Sequence, residues 1–293
     1  MGATFSIVAY GSDNESTNQA IDAAFAEAHR LDALLSNYLP ESEWSRINRD
    51  AGERPVEVSP ELFQLLSDCL DYSRESEGTF DLTVAPLMRA WGFFGGTRHV
   101  PSSDELRQAM ERVGYQHIQL NPPSHTVRFD RPGVEIDPGG VGKGYAVDRM
   151  VKILRARGIG TALVAASGST IVGLGYPPDE PRGWRVPIAD PWDHRKNVVE
   201  IFLKDMSLST SGSYEKSFRA AGHRYSHIMD PRSGAPAEAA VQVTVLAPRA
   251  IDSEVWAKPY FIQGSAWTAA HKPRLWRVLY CSSAPISPCS WVE

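Results

Sequence analysis

Apolar residues recur at helical spacing in four parts of the chain. In residues 18–35, Ile21, Ala24, Phe25, Ala28, Leu31 and Leu35 fall three, four or a full turn apart, which predicts a helix with one buried face. Ser59-Pro60-Glu61 reads as a helix start, with Ser as cap and Pro at the first helical position. Leu62, Leu65, Leu66, Cys69 and Leu70 continue it until Gly78. Residues 101–113 predict a shorter helix, capped by Ser102 or Ser103 and carrying Leu106, Met110 and Val113. Ala146, Val147, Met150, Val151 and Leu154 predict a fourth, stopped near Gly158. Short runs rich in β-branched residues predict strands at 3–10, 118–120, 126–129, 162–166, 171–174, 184–189, 198–203 and 241–246. Residues 36–48 show neither period and are expected to be irregular.

A length of 293 residues and 42% hydrophobic content allow a large core, as one big domain or two intimately packed halves. A net charge of −5 argues against a general nucleic-acid or anionic-membrane surface. No apolar run approaches the ~20 residues of a membrane span. Three cysteines make no disulfide framework; Cys281 and Cys289 are able to pair, and Cys69 lies on a helical apolar face. No basic start followed by an apolar segment is present, so no signal peptide is read in the chain as it stands.

The stretch that most changes this picture is Val134-Glu-Ile-Asp-Pro-Gly-Gly-Val-Gly-Lys-Gly-Tyr-Ala-Val-Asp148. It reads as strand, glycine turn and helix, an arrangement that points backbone N–H groups and a helix N-terminus at an anion. Lys143 adds a formal charge, so the turn suits a phosphate or diphosphate; the alternative is a tight connection with Lys143 in solvent. The spacing is neither that of the dinucleotide fingerprint nor that of the phosphate loop.

Other stretches carry candidate chemistry. Tyr38, flanked by Ser36, Asn37, Ser42, Ser45 and Asn48, offers an aromatic face within a polar loop, a combination that suits a planar ligand or simply reflects loop preference. Asp81 between Phe80 and Leu82 needs a donor, from a turn that it caps or from a ligand. Thr210, Ser211 and Ser213 around Gly212 have the composition of an anion contact. His227 lies close in sequence to Asp230, a carboxylate able to fix an imidazole tautomer; the alternative is a satisfied structural histidine. Asp252 opens a helix, where it suits the dipole or serves as a hard oxygen ligand for Mg²⁺.

Six ordered motifs together resemble the ApbE family of FAD:protein FMN transferases. Met1-Gly2-Ala3 is similar to the family's Met-Gly-Thr start, and Ser36-Asn37-Tyr38 with Ser42 and Asn48 to its S-x-Y segment. Gly78-Thr-Phe-Asp-Leu-Thr with Pro86-Leu and Trp91-Gly92 matches a third motif, and residues 137–148 match D-x-G-G-x-x-K-G-Y-A-x-D. Thr210-Ser-Gly and His227-Ile-Met-Asp-Pro-Arg-Ser-Gly234 complete the set. The resemblance implies a single large domain over 1–293, α+β, with mixed, mainly antiparallel sheets flanked by helices. It implies Mg²⁺-dependent transfer of FMN from FAD to a threonine of a target flavoprotein, with release of AMP. Tyr38 would stack on the isoalloxazine with Met1 near it. Thr79, Phe80, Asp81, Asp137, Gly140, Lys143, Thr210, Ser211, His227 and Ile228 would contact the nucleotide. His227 would take the threonine proton, and Asp252, which the resemblance also places in the catalytic set, would hold the metal with the Gly142 or Gly140 carbonyl.

Several positions depart from the family: Ser167-Gly168-Ser169 stands where the family has Gly-Gly-(Asp/Asn) after its central strand, Ser233 replaces a threonine, and the late acidic motif is altered. The family's D-A-x-x-T is Asp252-Ser-Glu-Val-Trp256 here, so tryptophan stands at the threonine ligand's position, with Ser253 and Glu254 as nearby oxygen donors. The tail from about 265 also differs. The alternative reading is therefore an FAD-binding protein, or an FAD pyrophosphatase, that has lost transfer. The resemblance further implies a periplasmic or other extracytoplasmic, membrane-associated protein, anchored only through a lipoprotein signal missing from this chain.

Overall fold

The computed structural model describes residues 2–283 and 289–293, so the position expected of Met1 lies outside the described residues. The chain opens with β1 (Phe5–Tyr10), α1 (Asn14–Leu35), α2 (Glu43–Asp50), β2 (Val56–Glu57) and α3 (Pro60–Glu75). A 3-10 turn over Leu82–Val84 leads to α4 (Ala85–Ala90), α5 (Ser103–Met110), β3 (Ile118–Asn121) and β4 (Thr126–Phe129). Next come α6 (Gly142–Ala156), β5 (Thr161–Ala166), β6 (Thr170–Leu174), β7 (Trp184–Ala189), β8 (Asn197–Leu203) and β9 (Met206–Gly212). The chain continues with β10 (Ser217–Ala220), β11 (His223–Ser226), β12 (Ala240–Ala247), α7 (Ala250–Gln263), α8 (Ser265–His271), β13 (Arg277–Ser282) and β14 (Ser290–Trp291). The class is α+β with antiparallel sheets, as expected.

These elements form two compact units, interleaved along the sequence. The first comprises Ala33–Gly140 and Ser213–Glu238; the second comprises Gly2–Asp32, Val141–Gly212 and Ala239–Glu293.

The second unit is built on a seven-stranded sheet of order β1-β5-β6-β9-β12-β13-β14, antiparallel throughout. Alternation along the strands sorts side chains onto its two faces. Ala162, Val164, Ala166, Val172 and Leu174 pack with Ala20, Ala24 and Ala28 of α1 and with Val147, Met150 and Leu154 of α6. The other face, with Ile171, Leu208, Leu246 and Leu279, packs on Trp184, Val186, Ile188, Ile201 and Leu203 of the β7–β8 hairpin. The divergent tail belongs to this sheet: β13 pairs with β12, and a Cys281–Cys289 disulfide joins the neighbourhoods of β13 and β14.

In the first unit, β2, β4 and β3 form a small sheet, and α3 is capped by Ser59 with Pro60 at its start, as predicted. Two expectations fail here. Residues 36–48 are not irregular throughout, because the Ser42 hydroxyl accepts the Ser45 N–H at 2.9 Å and starts α2, which buries Trp44 and Ile47. Residues 134–137 form no strand. Asn48 on α2 replaces a strand partner there: its Oδ1 accepts the Ile136 N–H at 2.8 Å and its Nδ2 donates to the Ile136 carbonyl at 2.9 Å. Trp44 Nε1 donates to the same carbonyl at 3.0 Å, and the Asp137 N–H donates to Leu82 O at 2.7 Å.

Candidate functional site

In the first unit, α2 and the 136–139 segment bring Asn37, Asn48 and Asp137 together. Asn37 Nδ2 donates to Asp137 Oδ1 at 3.0 Å, and the Gly139 N–H reaches the same oxygen at 3.2 Å. Tyr38, next to this cluster in sequence, is 75% exposed, so its ring face is open to a planar partner. Gly140 closes the 3-10 turn Pro138–Gly140.

Asp81 is buried and answered from within the chain. Its Oδ1 accepts the Thr83 N–H at 2.7 Å and the Thr83 hydroxyl at 2.6 Å, and its Oδ2 accepts the Tyr115 N–H at 2.7 Å. Burial pushes the Asp81 carboxyl above its usual range, against the opposing pull of these donors and of His117. Asp81 thus caps the turn into α4, as the structural alternative expected, and holds Tyr115, while Thr83 Oγ1 accepts the Gly114 N–H at 2.6 Å. Thr79 is buried with its hydroxyl donating to Ser76 O at 2.7 Å, and buried Phe80 lies edge-on to Tyr72.

His227 follows the β10–β11 hairpin, at the border of an aromatic cluster formed by Trp91, Phe93, Phe218 and Tyr225. Its orienting partner is not Asp230, whose carboxylate is forked by Arg232 at 2.9 and 3.0 Å. The imidazole Nδ1 lies 3.2 Å from the Lys216 carbonyl instead. A carbonyl only accepts, so Nδ1 is the donor in this contact, and in the neutral ring the lone pair is on Nε2. Ile228 is buried, with its N–H donating to Ser226 Oγ at 3.3 Å.

In the second unit, Thr210 and Ser211 belong to strand β9. Thr210 Oγ1 lies 2.8 Å from Thr244 Oγ1 on the adjacent β12, and Ser211 stands opposite Val243. Small and hydroxyl side chains along this strand gave it the composition of an anion contact.

The glycine turn ends where α6 begins, at Gly142, and runs close to α7. A Cβ at Gly144 would collide with the Ala250 backbone, so glycine permits this approach. Asp148 one turn later accepts the Ala250 and Ile251 N–H groups at 2.8 and 2.9 Å and so caps α7. Burial raises the Asp148 carboxyl to about 6, with Asp252 adding to the rise. The anion that the start of α6 holds is Glu254: its Oε2 accepts the Gly144 N–H at 2.6 Å, and Lys143 Nζ lies 2.6 Å from its Oε1. Lys258 Nζ, one turn further along α7, lies 4.0 Å from Oε1 and donates to the Glu254 carbonyl at 2.6 Å. Burial pushes the Glu254 carboxyl up, but Lys143, Lys258 and Gly144 together outweigh it and hold the group below its usual range. The Gly144 N–H and Lys143, expected to meet a phosphate, are thus both engaged by Glu254.

These residues do not fit the expected magnesium set of Gly142, Asp252 and Trp256. Arg249 forks both Asp252 oxygens, at 2.6 and 2.8 Å. Trp256 has no metal-ligating atom and packs among Tyr260, Trp267 and Trp276, with ring centroids 5.5 to 6.5 Å away. Among the described residues, no three His, Cys, Asp or Glu side chains gather as a metal-binding group. The carboxylate that reaches the glycine turn is Glu254, two positions beyond Asp252. Sequence reasoning weighed Glu254 only as a substitute and missed Lys258. The signal present was the four-residue Glu-to-Lys spacing, which places the two on one helical face.

Three comparisons agree on the family. The ApbE family model matches residues 1–275. An FAD:protein FMN transferase of Klebsiella pneumoniae is 34% identical over 80% of this chain and 71% of its own length. One from Treponema pallidum is 30% identical over 84% of this chain and 71% of its own. Among solved structures, the ApbE protein of Thermotoga maritima matches with a TM-score of 0.87 at 28% identity, covering 95% of this chain and 91% of that one. The flavin transferase ApbE of Vibrio cholerae matches with a TM-score of 0.83 at 28% identity, covering 99% and 93%. The chain belongs to the ApbE family.

Proposed function

We propose that this chain is a flavin transferase that moves FMN from FAD to a threonine of a target flavoprotein and releases AMP. The observation that carries this reading is the match to relatives named FAD:protein FMN transferase at 30 to 34% identity over most of the chain. In the proposed step the threonine oxygen attacks the phosphorus of the FMN half. The bond from that phosphorus to the bridging oxygen breaks, and its electron pair leaves with AMP. The hydroxyl proton passes to Nε2 of His227, the basic nitrogen defined by the Lys216 carbonyl contact. Exposed Tyr38 offers a ring face to the isoalloxazine, and the Asn37–Asp137 pair offers polar edges to the nucleotide. No metal requirement is attached to this reading, because the expected ligand set is not formed.

The second reading, an FAD pyrophosphatase or FAD-binding protein, is favoured by one observation: Lys143 and the Gly144 N–H are already engaged by Glu254. With water in place of threonine, the same bond change yields FMN and AMP.

We also propose that the protein works outside the cytoplasm, a reading supported by the Cys281–Cys289 disulfide. The deciding experiment incubates the protein with FAD and an acceptor domain bearing a threonine, then weighs the acceptor by mass spectrometry. An added FMN mass with AMP released supports transfer. FMN and AMP in solution with an unchanged acceptor would replace it by hydrolysis.

A further inference from the structure

The glycine turn faces a cluster that combines one buried carboxylate with two ammonium groups. Glu254 is 1% exposed, yet it meets Lys143 at 2.6 Å, Lys258 at 4.0 Å and the Gly144 N–H at 2.6 Å. The family resemblance implies a metal held by a carboxylate and a second oxygen four residues along one helix, facing the glycine turn. On α7 the side chains that stand four apart at this turn are Glu254 and Lys258. Where an oxygen ligand would be needed, the chain supplies a cation.

We propose that the Lys258 ammonium is the resident cation at the glycine turn, and that this chain binds no divalent metal there. Two observations carry the inference independently. The alternative carboxylate, Asp252, is forked by Arg249, and the side chain at 256 is an indole packed among aromatic rings. A divalent ion placed against Glu254 would meet two ammonium groups already close to that carboxylate, and an ammonium repels a metal ion and has no lone pair to offer it. Two lysines against one carboxylate leave the cluster with one net positive charge. If the flavin-transfer reading holds, that fixed charge opposes the negative charge of the FAD diphosphate in the metal's stead. Glu254 and its two lysines exclude a divalent ion from this turn whether or not that reading holds.

The test is a titration of the full chain with Mn²⁺, followed by electron paramagnetic resonance and without FAD. The wild type is expected to leave Mn²⁺ free into the millimolar range. Lys258→Thr, which removes the ammonium and supplies an oxygen, is expected to gain one bound Mn²⁺ per chain and to lose it again when Glu254→Gln is added. Mn²⁺ bound by the wild type and released by Glu254→Gln would overturn the proposal. So would a Lys258→Thr protein with native circular dichroism that gains no site. A second measurement compares the thermal shift given by FAD in EDTA and in Mg²⁺. Equal shifts are expected, and a shift present only with Mg²⁺ would also overturn it. No shift in either buffer counts against the flavin reading and leaves the Mn²⁺ result to decide this one.

Discussion

At the scale of single residues, the second unit depends on two buried carboxylates held in opposite ways. Burial raises both, but Glu254 is pulled below its usual range by Lys143 and Lys258, whereas Asp148, with two N–H donors and Asp252 close by, ends at about 6. Removing the charge of Glu254 leaves two lysines without their counter-ion. Breaking a buried pair costs about 3–5 kcal/mol, and the low end applies because Lys143 and Lys258 keep a quarter and a fifth of their side chains in solvent. Glu254→Gln is therefore expected to lose about 3 kcal/mol in urea denaturation; a loss under about 1 kcal/mol would mean that the cluster contributes no net stability. Asp148 predicts a pH effect with the opposite sign to an ordinary salt-bridged acid. Its folded value of about 6 lies above the unfolded 3.8, so between these two the native state keeps a proton that the unfolded chain has lost. Its contribution is present below that window, falls as pH rises through it, and is flat above. Asp148→Asn removes the titration, so the stability gap between wild type and variant should be wider near pH 4 than near pH 7. A gap that does not vary with pH would show that the carboxyl is not raised.

At the scale of elements, close approach of α6 to α7 is what the glycine turn secures. Gly144→Ala gains about 1 kcal/mol of helix propensity but drives a methyl group into the Ala250 backbone, an overpacking that costs about 1–3 kcal/mol. The expected result is a lower melting temperature, since two backbones must part; a variant that melts higher would show that α7 shifts freely. Helical periodicity together with cap and stop residues located α3, α5 and α6, and β-branched runs located most strands. Elements held by side-chain hydrogen bonds were illegible. Helix α2 has only Trp44 and Ile47 as buried apolar positions, too few to show a period, and residues 134–137 pair with the Asn48 amide instead of a strand. The facing of α7 was hidden for a different reason. Every residue from Ala250 to Ala257 is buried, so no polar stripe indicates that Glu254 and not Asp252 reaches the start of α6. The motifs located the glycine turn, but which carboxylate enters it depends on helix phase, and phase becomes visible only when both helices are placed.

At the scale of the whole molecule, the stretch with the least family resemblance is built into the core of the second unit. Val278, Leu279, Tyr280 and Cys281 are buried in β13, which covers the edge that β12 would otherwise present, and Tyr280 Oη donates to Ala239 O at 2.8 Å. The Cys281–Cys289 bridge closes a loop of sequence separation 8 at the end of this sheet. Closing so short a loop restricts the unfolded chain by about 2.5 kcal/mol in the chain-entropy account, less than a long loop would give. Reduction should therefore lower stability by that order without unfolding the protein, because burial of β13 does not depend on the bridge. The comparison is between urea midpoints of oxidised protein, reduced protein and Cys281→Ser with Cys289→Ser, the last two expected to coincide. If the double variant keeps the oxidised midpoint, the bridge stabilises nothing and its support for an oxidising compartment is withdrawn. If reduction abolishes the native near-ultraviolet signal, β13 is held by the bridge and not by its buried side chains.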